Sequence, residues 1–351
     1  MLSWRERIVV VARWVCVFVA LASVCTVAGA VVLAGGTTKP LPSLESQGSS
    51  KALKGSAATG EAIITSQPAD TVSIIDLSNM RVAASIVVTG RPAGVALSVD
   101  GALAFVTSPG SGELVSIDLA KRVVIGRKKV GGGPVGVAVN PVSGIVYVAD
   151  WYAHVLSAVE PESLNVIGKL KVGLSPSGVA VTPDGSTILT ADRDSHWVSV
   201  IDAAKFEVVR KIDVGARPFG ITIDRAGARA YTANVKSNDV SIIDIASGNV
   251  VATVPVGRRP YGVALASGFA FVSDQYAGTV SVFDVDTFKV IKTIEVSAYP
   301  EGISASRDGQ YVYVACWEDN MFERIRVADF KVDARVVVAD GPRAFGAFLR
   351  E

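Results

Sequence analysis

The chain has 351 residues, half of them apolar, with 34 Lys and Arg against 33 Asp and Glu for a formal net charge of +1. That balance excludes a global basic field drawing the protein to nucleic acid or anionic lipid. Three cysteines, two of them in the apolar N-terminal run, exclude a disulfide framework in the folded body.

In chain order, Arg5, Arg7 and Arg13 precede residues 14–35, which carry no charged side chain. As a helix this run reaches about 33 Å, enough for a hydrocarbon core of roughly 30 Å. Positive charge on its N-terminal side keeps that end cytoplasmic and sends the rest of the chain out. Two readings of residues 1–35 stay open. Val31, Val32 and Leu33 prolong the run as in an uncleaved signal anchor, and Ala28-Gly29-Ala30 is a site for signal-peptide cleavage. Residues 36–58, with Gly, Ser, Thr, Lys and Pro, read as a flexible linker. The expected location is membrane-anchored with the following domain outside the cytoplasm, or secreted or periplasmic after cleavage.

Residues 59–351 repeat themselves. Pro92, Pro134, Pro176, Pro218, Pro260, Pro300 and Pro342 recur at a constant interval, shortened by two only between Pro260 and Pro300. Six of the seven stand in Pro-x-Gly, and Ala344 replaces the last glycine. A period of about 42 residues marks a repeat architecture. In the unit beginning at Pro176, residues 178–181, 188–191, 198–202 and 206–214 predict four short strands, with Thr182-Pro183-Asp184-Gly185 as a hairpin turn. The second strand returns as Tyr147-Val148-Ala149-Asp150, Tyr231-Thr232-Ala233-Asn234 and Phe271-Val272-Ser273-Asp274. The third returns as Val240-Ser241-Ile242-Ile243-Asp244 and Val280-Ser281-Val282-Phe283-Asp284.

The predicted fold is all-β: a seven-bladed β-propeller of four-stranded blades, preceded by one N-terminal transmembrane or signal helix. Residues 62–65, 72–76 and 82–88 are second, third and fourth strands without a first, and residues 345–349 are a first strand without the others. Together they should complete one blade and close the ring. The recurring motifs resemble the YVTN-type β-propeller family over about residues 59–351. That resemblance implies the fold and an extracytoplasmic setting. It implies no activity, because the motifs describe strands and turns. The Gly-His and Trp-Asp pairs of WD40 repeats are missing.

The turns between blades and the loops joining second to third strands lie on one face, which can be enumerated by register. Arg91, Arg217 and Arg259 stand just before their prolines, Arg343 just after its own, and Phe219, Tyr261, Tyr299 and Glu301 share these turns. Converging guanidinium groups suit an anion, although each could instead pair with a neighbouring acid. Trp151 and Trp317 hold the same place relative to Pro134 and Pro300, with Tyr152 beside the first. They suit docking of a partner or flat ligand, or else packing at the channel mouth. His154 and His196 hold matching places after Pro134 and Pro176, near Asp150, Asp192 and Asp194. Two imidazoles without a third His or Cys do not make a metal site, so neither metal nor cofactor is expected. Asp76, Asp118, Asp202, Asp244 and Asp284 read as turn residues, and Cys316 lacks a histidine to act as its base.

These readings converge on an extracytoplasmic binding module without catalysis of its own. Its Arg- and aromatic-rich face would meet a protein partner or a small anionic ligand. One alternative is a supporting propeller subunit of a redox complex, since the chain looks similar to those of periplasmic amine dehydrogenases. The other is single-stranded nucleic-acid binding on arginines and tryptophans, which the near-neutral charge disfavours.

Overall fold

The computed structural model describes residues 59–351; the expectations for residues 1–58 lie outside the described residues. Among the described residues no helix is long and apolar enough to cross a membrane. Seven antiparallel sheets follow in chain order as blades 1 to 7. Blade 1 holds Glu61–Ser66, Thr71–Asp76 and Arg81–Val87, and blade 2 opens with Gly94–Leu97. Blades 3 to 7 open with Pro134–Val139, Pro176–Val181, Pro218–Ile223, Pro260–Ala266 and Pro300–Ala305. Each opening strand is innermost, and consecutive innermost strands touch to close a ring.

The burial of each strand explains its composition. Second and third strands are sandwiched between neighbouring blades, so Thr187–Asp192 and Trp197–Asp202 are buried on both faces rather than alternating. Outermost strands meet solvent on one side, and Val166–Lys171 alternates accordingly. The large residue that opens the second-strand motif fills the layer between blades. Tyr147 stacks on Phe206 of the next blade at 6.0 Å between ring centroids, and Phe271 meets Phe330 at 6.1 Å. The shortened repeat has a local cause: blade 6 turns its first hairpin on Ser267 and Gly268 alone, at φ 47° and 82°. Two successive positive-φ residues make the tight turn that matches strand twist.

The glycine of Pro-x-Gly is required by close approach rather than by a turn. A methyl group on Gly178 or Gly220 would stand 2.5 Å from the carbonyl oxygen of Phe219 or Tyr261 in the following blade. The methyl group of an alanine at Gly94, Gly136 or Gly302 would likewise collide with the next blade's backbone. Hydroxyls stitch the same seams. Thr107 Oγ1 accepts from Gly94 N at 2.8 Å and donates to Val135 O at 2.7 Å. Ser273 Oγ makes the matching pair with Gly262 N at 3.0 Å and Glu301 O at 2.7 Å.

Ring closure differs in detail from expectation. The C-terminus does complete blade 1, but the ladder to Glu61 and Ala62 is made by Leu349–Arg350. Phe345–Gly346 pairs in parallel with Gly94 and Val95 of blade 2 instead. This diversion follows Ala344, the one residue standing where the other repeats have glycine, which takes φ 47°. Further along, Ile63 N donates to Phe348 O at 2.9 Å, and the fully buried Phe348 ring lies 6.0 Å from Phe322 of blade 7. Phe348→Ala should cost about 3–5 kcal/mol, and removing residues 342–351 should abolish the cooperative melt seen by circular dichroism. A transition in which most blades melt unchanged after truncation would contradict closure as a ring-wide constraint.

Candidate functional site

Residues preceding the prolines are held in left-handed geometry: Arg91 at φ 61°, Ser175 at 52°, Arg217 at 60°, Arg259 at 56° and Tyr299 at 56°. Backbone N–H groups so placed need acceptors, and for the first four a side chain from the preceding blade's hairpins supplies one. Asp70 Oδ1 serves Arg91 at 2.7 Å and Asn238 Oδ1 serves Arg259 at 2.8 Å. His154 Nδ1 serves Ser175 and His196 Nδ1 serves Arg217, both at 3.0 Å. The two histidines therefore occupy the position of an Asp and an Asn in sister blades. Their matched spacing follows from this shared role in closing the turn. Asp150 is likewise consumed locally, accepting from the N–H groups of Gly132, Gly133, Tyr152 and Ala153. Among the described residues no three His, Cys, Asp or Glu side chains gather where a metal ion would fit.

Two registers build the channel mouth. One is the x of Pro-x-Gly: Ala93, Val135, Phe219, Tyr261 and Arg343 line a cavity of about 330 Å³. The other follows the second strand: Gln67, Pro109, Trp151, Arg193, Val235 and Gln275 line the same cavity, joined by Tyr152 and Arg259. Its floor is aromatic, with Phe219 4.3 Å from Tyr261, 5.0 Å from Phe345 and 6.1 Å from Trp151. Beneath it, aliphatic side chains of the innermost strands line a channel space of about 500 Å³.

Three guanidinium groups reach the mouth cavity, each in a different electrostatic state. Arg343 Nε lies 2.8 Å from Glu301 Oε2, and Gln275 Nε2 donates to Glu301 Oε1. Burial pushes the Glu301 carboxyl up against the lowering pull of Arg343, and burial pushes the Tyr261 hydroxyl up as well. This pair is structural: removing Arg343 alone would strand a buried carboxylate, at a cost of about 3–5 kcal/mol. Arg193 Nη1 pairs with Asp194 Oδ1 at 2.8 Å and its guanidinium lies 5.1 Å from the Trp151 ring centre. Arg259 has no carboxylate within 4.0 Å among the described residues. Its guanidinium lies 4.5 Å from the Tyr276 ring centre and donates to the Tyr276 hydroxyl at 3.0 Å, while its buried Nε has no partner.

Of the sequence-predicted site residues, Trp151, Tyr152, Tyr261, Arg259 and Arg343 come together here. Arg217 lies beside the cavity, facing Asp194 at 3.6 Å. Arg91 is exposed and outside it, and Trp317 lies tilted against Tyr299, 6.3 Å between ring centroids, instead of entering. Arg193 and Gln275, whose loops Asp192-Arg193-Asp194 and Asp274-Gln275-Tyr276 are equivalent by register to that of Trp151, line the cavity as well, Gln275 in the repeat shortened by two. The expected turn role of the third-strand aspartates is seen directly, for example in Asp284 accepting from Asp286 N and Thr287 N. Cys316 is fully buried, and burial raises its thiol well above its ordinary value.

Residues 141–229 match the family described as YNCE-like beta-propeller. The chain is a seven-bladed β-propeller, and that match is consistent with repeats of the YVTN type. No curated protein matches it significantly. This propeller is similar to hydrazine synthase of Kuenenia stuttgartiensis, at 22% identity and TM-score 0.66 over 72% of this chain and 88% of that one. A functionally unknown protein from Desulfotomaculum acetoxidans DSM 771 is similar at 16% identity and TM-score 0.71, over 81% and 98% of the two chains. Dihydro-heme d1 dehydrogenase NirN in complex with DHE is similar at 14% and 0.63, over 83% and 76%. At these identities the likeness is one of fold.

The residue ending the second strand of blade 6, Asp274, is fully buried, and burial pushes its carboxyl up to about 6 against bonds from Ser281 and Thr279. An unfolded aspartate titrates near 3.9, so between about pH 4 and 6 the folded state binds the extra proton and stability falls as pH rises. The full effect is at most roughly 3 kcal/mol. Asp274→Asn copies Asn234 of blade 5 and should remove this part of the slope. Denaturant titrations of both proteins from pH 4 to 7 check it; parallel curves would refute it.

Proposed function

We propose that the chain is a binding module whose channel-mouth cavity takes a small anion carrying a flat apolar part, without catalysing a reaction on it. The observation that carries this reading is the position of Arg259. Its charge is unneutralised, its Nε is buried and unpartnered, and it lines one cavity with Trp151, Phe219 and Tyr261. An anion in the cavity would meet this unneutralised guanidinium in a charge-assisted hydrogen bond, worth about 1.5–3 kcal/mol. The aromatic floor supplies apolar area for the ring of the same ligand, and about 330 Å³ is the size of a small-ligand pocket. The basic-then-apolar residues 1–35 support binding outside the cytoplasm. The support-subunit reading shares only its fold with the redox proteins named above, so it stays second.

The test compares 2-naphthoate with its neutral isostere 2-naphthalenemethanol by calorimetry on the full chain. Naphthoate should bind more tightly, and Arg259→Ala should weaken it by roughly tenfold to a hundredfold, the worth of one charge-assisted hydrogen bond. The alcohol's affinity should barely change. Equal loss for both ligands, or none for either, would overturn the assignment.

A further inference from the structure

A second cavity of about 280 Å³ adjoins the mouth cavity and shares Arg193, Val235 and Arg259 with it. Arg217, Lys236 and Arg258 also line it, so five of its eight lining residues are cations and none is acidic. They come from four segments: the second-to-third-strand loops of blades 4 and 5, and the turns before Pro218 and Pro260. Among the described residues, Asp194 is the one carboxylate within 4.0 Å of any of the arginines Arg193, Arg217, Arg258 and Arg259, reached by Arg193 at 2.8 Å and Arg217 at 3.6 Å.

The remaining arginines are held in place by neutral groups. Arg258 Nη2 donates to the Tyr276 carbonyl oxygen at 2.9 Å, and Arg259 Nη1 to the Tyr276 hydroxyl at 3.0 Å. Their positions are fixed while their charge stays uncompensated. Burial is the main cause pulling the Arg193 guanidinium down; Asp194 opposes it, and the charges of Arg217 and Arg259 add to it.

We propose that this cavity binds a diphosphate group, borne by the ligand whose flat part occupies the mouth cavity. The attachment to a flat part rests on the proposed function; the diphosphate site does not. Cations converging from four segments suit tetrahedral groups, whose oxygens point in several directions, better than a planar carboxylate. A terminal phosphate group carries about −1.5 to −2 near neutrality. With about −1 more on the inner, esterified group, a diphosphate offsets most of the net charge of five cations less that of Asp194.

The probe is inorganic pyrophosphate, titrated into the full chain by calorimetry at low and high salt. Saturable binding that weakens with salt is expected, and the exposed pair Lys236→Ala and Arg258→Ala should lower affinity about tenfold or more. Neither residue lines the mouth cavity, so 2-naphthoate affinity should not change in that variant. Arg258→Lys, which keeps the charge but loses the fork, should retain part of the binding. Absence of saturable pyrophosphate binding, equal affinity for citrate, or stronger binding of oligothymidylate would each overturn the diphosphate assignment. Pyrophosphate binding without naphthoate binding would sink the mouth-cavity reading alone, and the converse would sink this one alone.

Discussion

Seven innermost strands must pass close enough for the backbone of one blade to touch that of the next, and this close approach controls most of what the molecule is. The carbonyls of Val135, Ser177, Phe219, Tyr261 and Arg343, x residues of the Pro-x-Gly register, occupy the space a side chain would need on the preceding blade's glycine. Proline fixes the entry of the strand and glycine removes the obstacle. Hydroxyls of Thr65, Thr107 and Ser273 then bond across the same seams to the carbonyls of Ala93, Val135 and Glu301. Where the seventh repeat carries Ala344, the strand leaves the common path and bonds sideways to blade 2 before rejoining blade 1. The exception falls where the chain has to fasten its two ends together.

The same geometry makes a site. Backbones drawn in around the axis leave the x residues facing one another, so side-chain choice at seven positions decides whether the mouth is open, plugged or charged. Phe219 and Tyr261, with Phe345, form an aromatic floor, while Glu301 and Arg343 neutralise each other beside it. A buried ion pair of this kind does little for net stability against an apolar alternative. Its role is to hold Arg343 and Gln275 in fixed positions at the cavity. The repeat supplies near-identical scaffolding seven times; chemistry enters through the departures from identity, concentrated on blades 3 to 7.

Charge on this face is arranged by how each arginine is held. Carboxylates hold Arg193 and Arg343, and a tyrosine holds Arg258 and Arg259. Neutral anchoring fixes a guanidinium without cancelling its field, which is why the unneutralised potential collects between blades 4 and 6 on a chain whose net charge is only +1. The histidines show the opposite case. Residues that look like candidate ligands by type and spacing serve the backbone, because every left-handed turn residue leaves an N–H that has to be bonded.

Repeat period, strand order within a blade, the shared blade and the face carrying the loops were all legible in the sequence, because each depends on local periodicity and on turn chemistry that recurs seven times. Trp151, Tyr261, Arg259 and Arg343 could be placed on that face for the same reason. What the register could not say is where a long side chain ends. Arg91, Arg217 and Arg259 share one backbone position and conformation, yet one lies apart, one faces Asp194 and one enters the cavity. Trp151 and Trp317 share another and diverge in the same way. Those outcomes depend on neighbours from other blades, and so does the pairing of Glu301 with Arg343, a full repeat further along the chain. Periodicity alone determined the propeller and the face; the side-chain endpoints, and with them the site, were decided only when the ring closed and brought different repeats into contact.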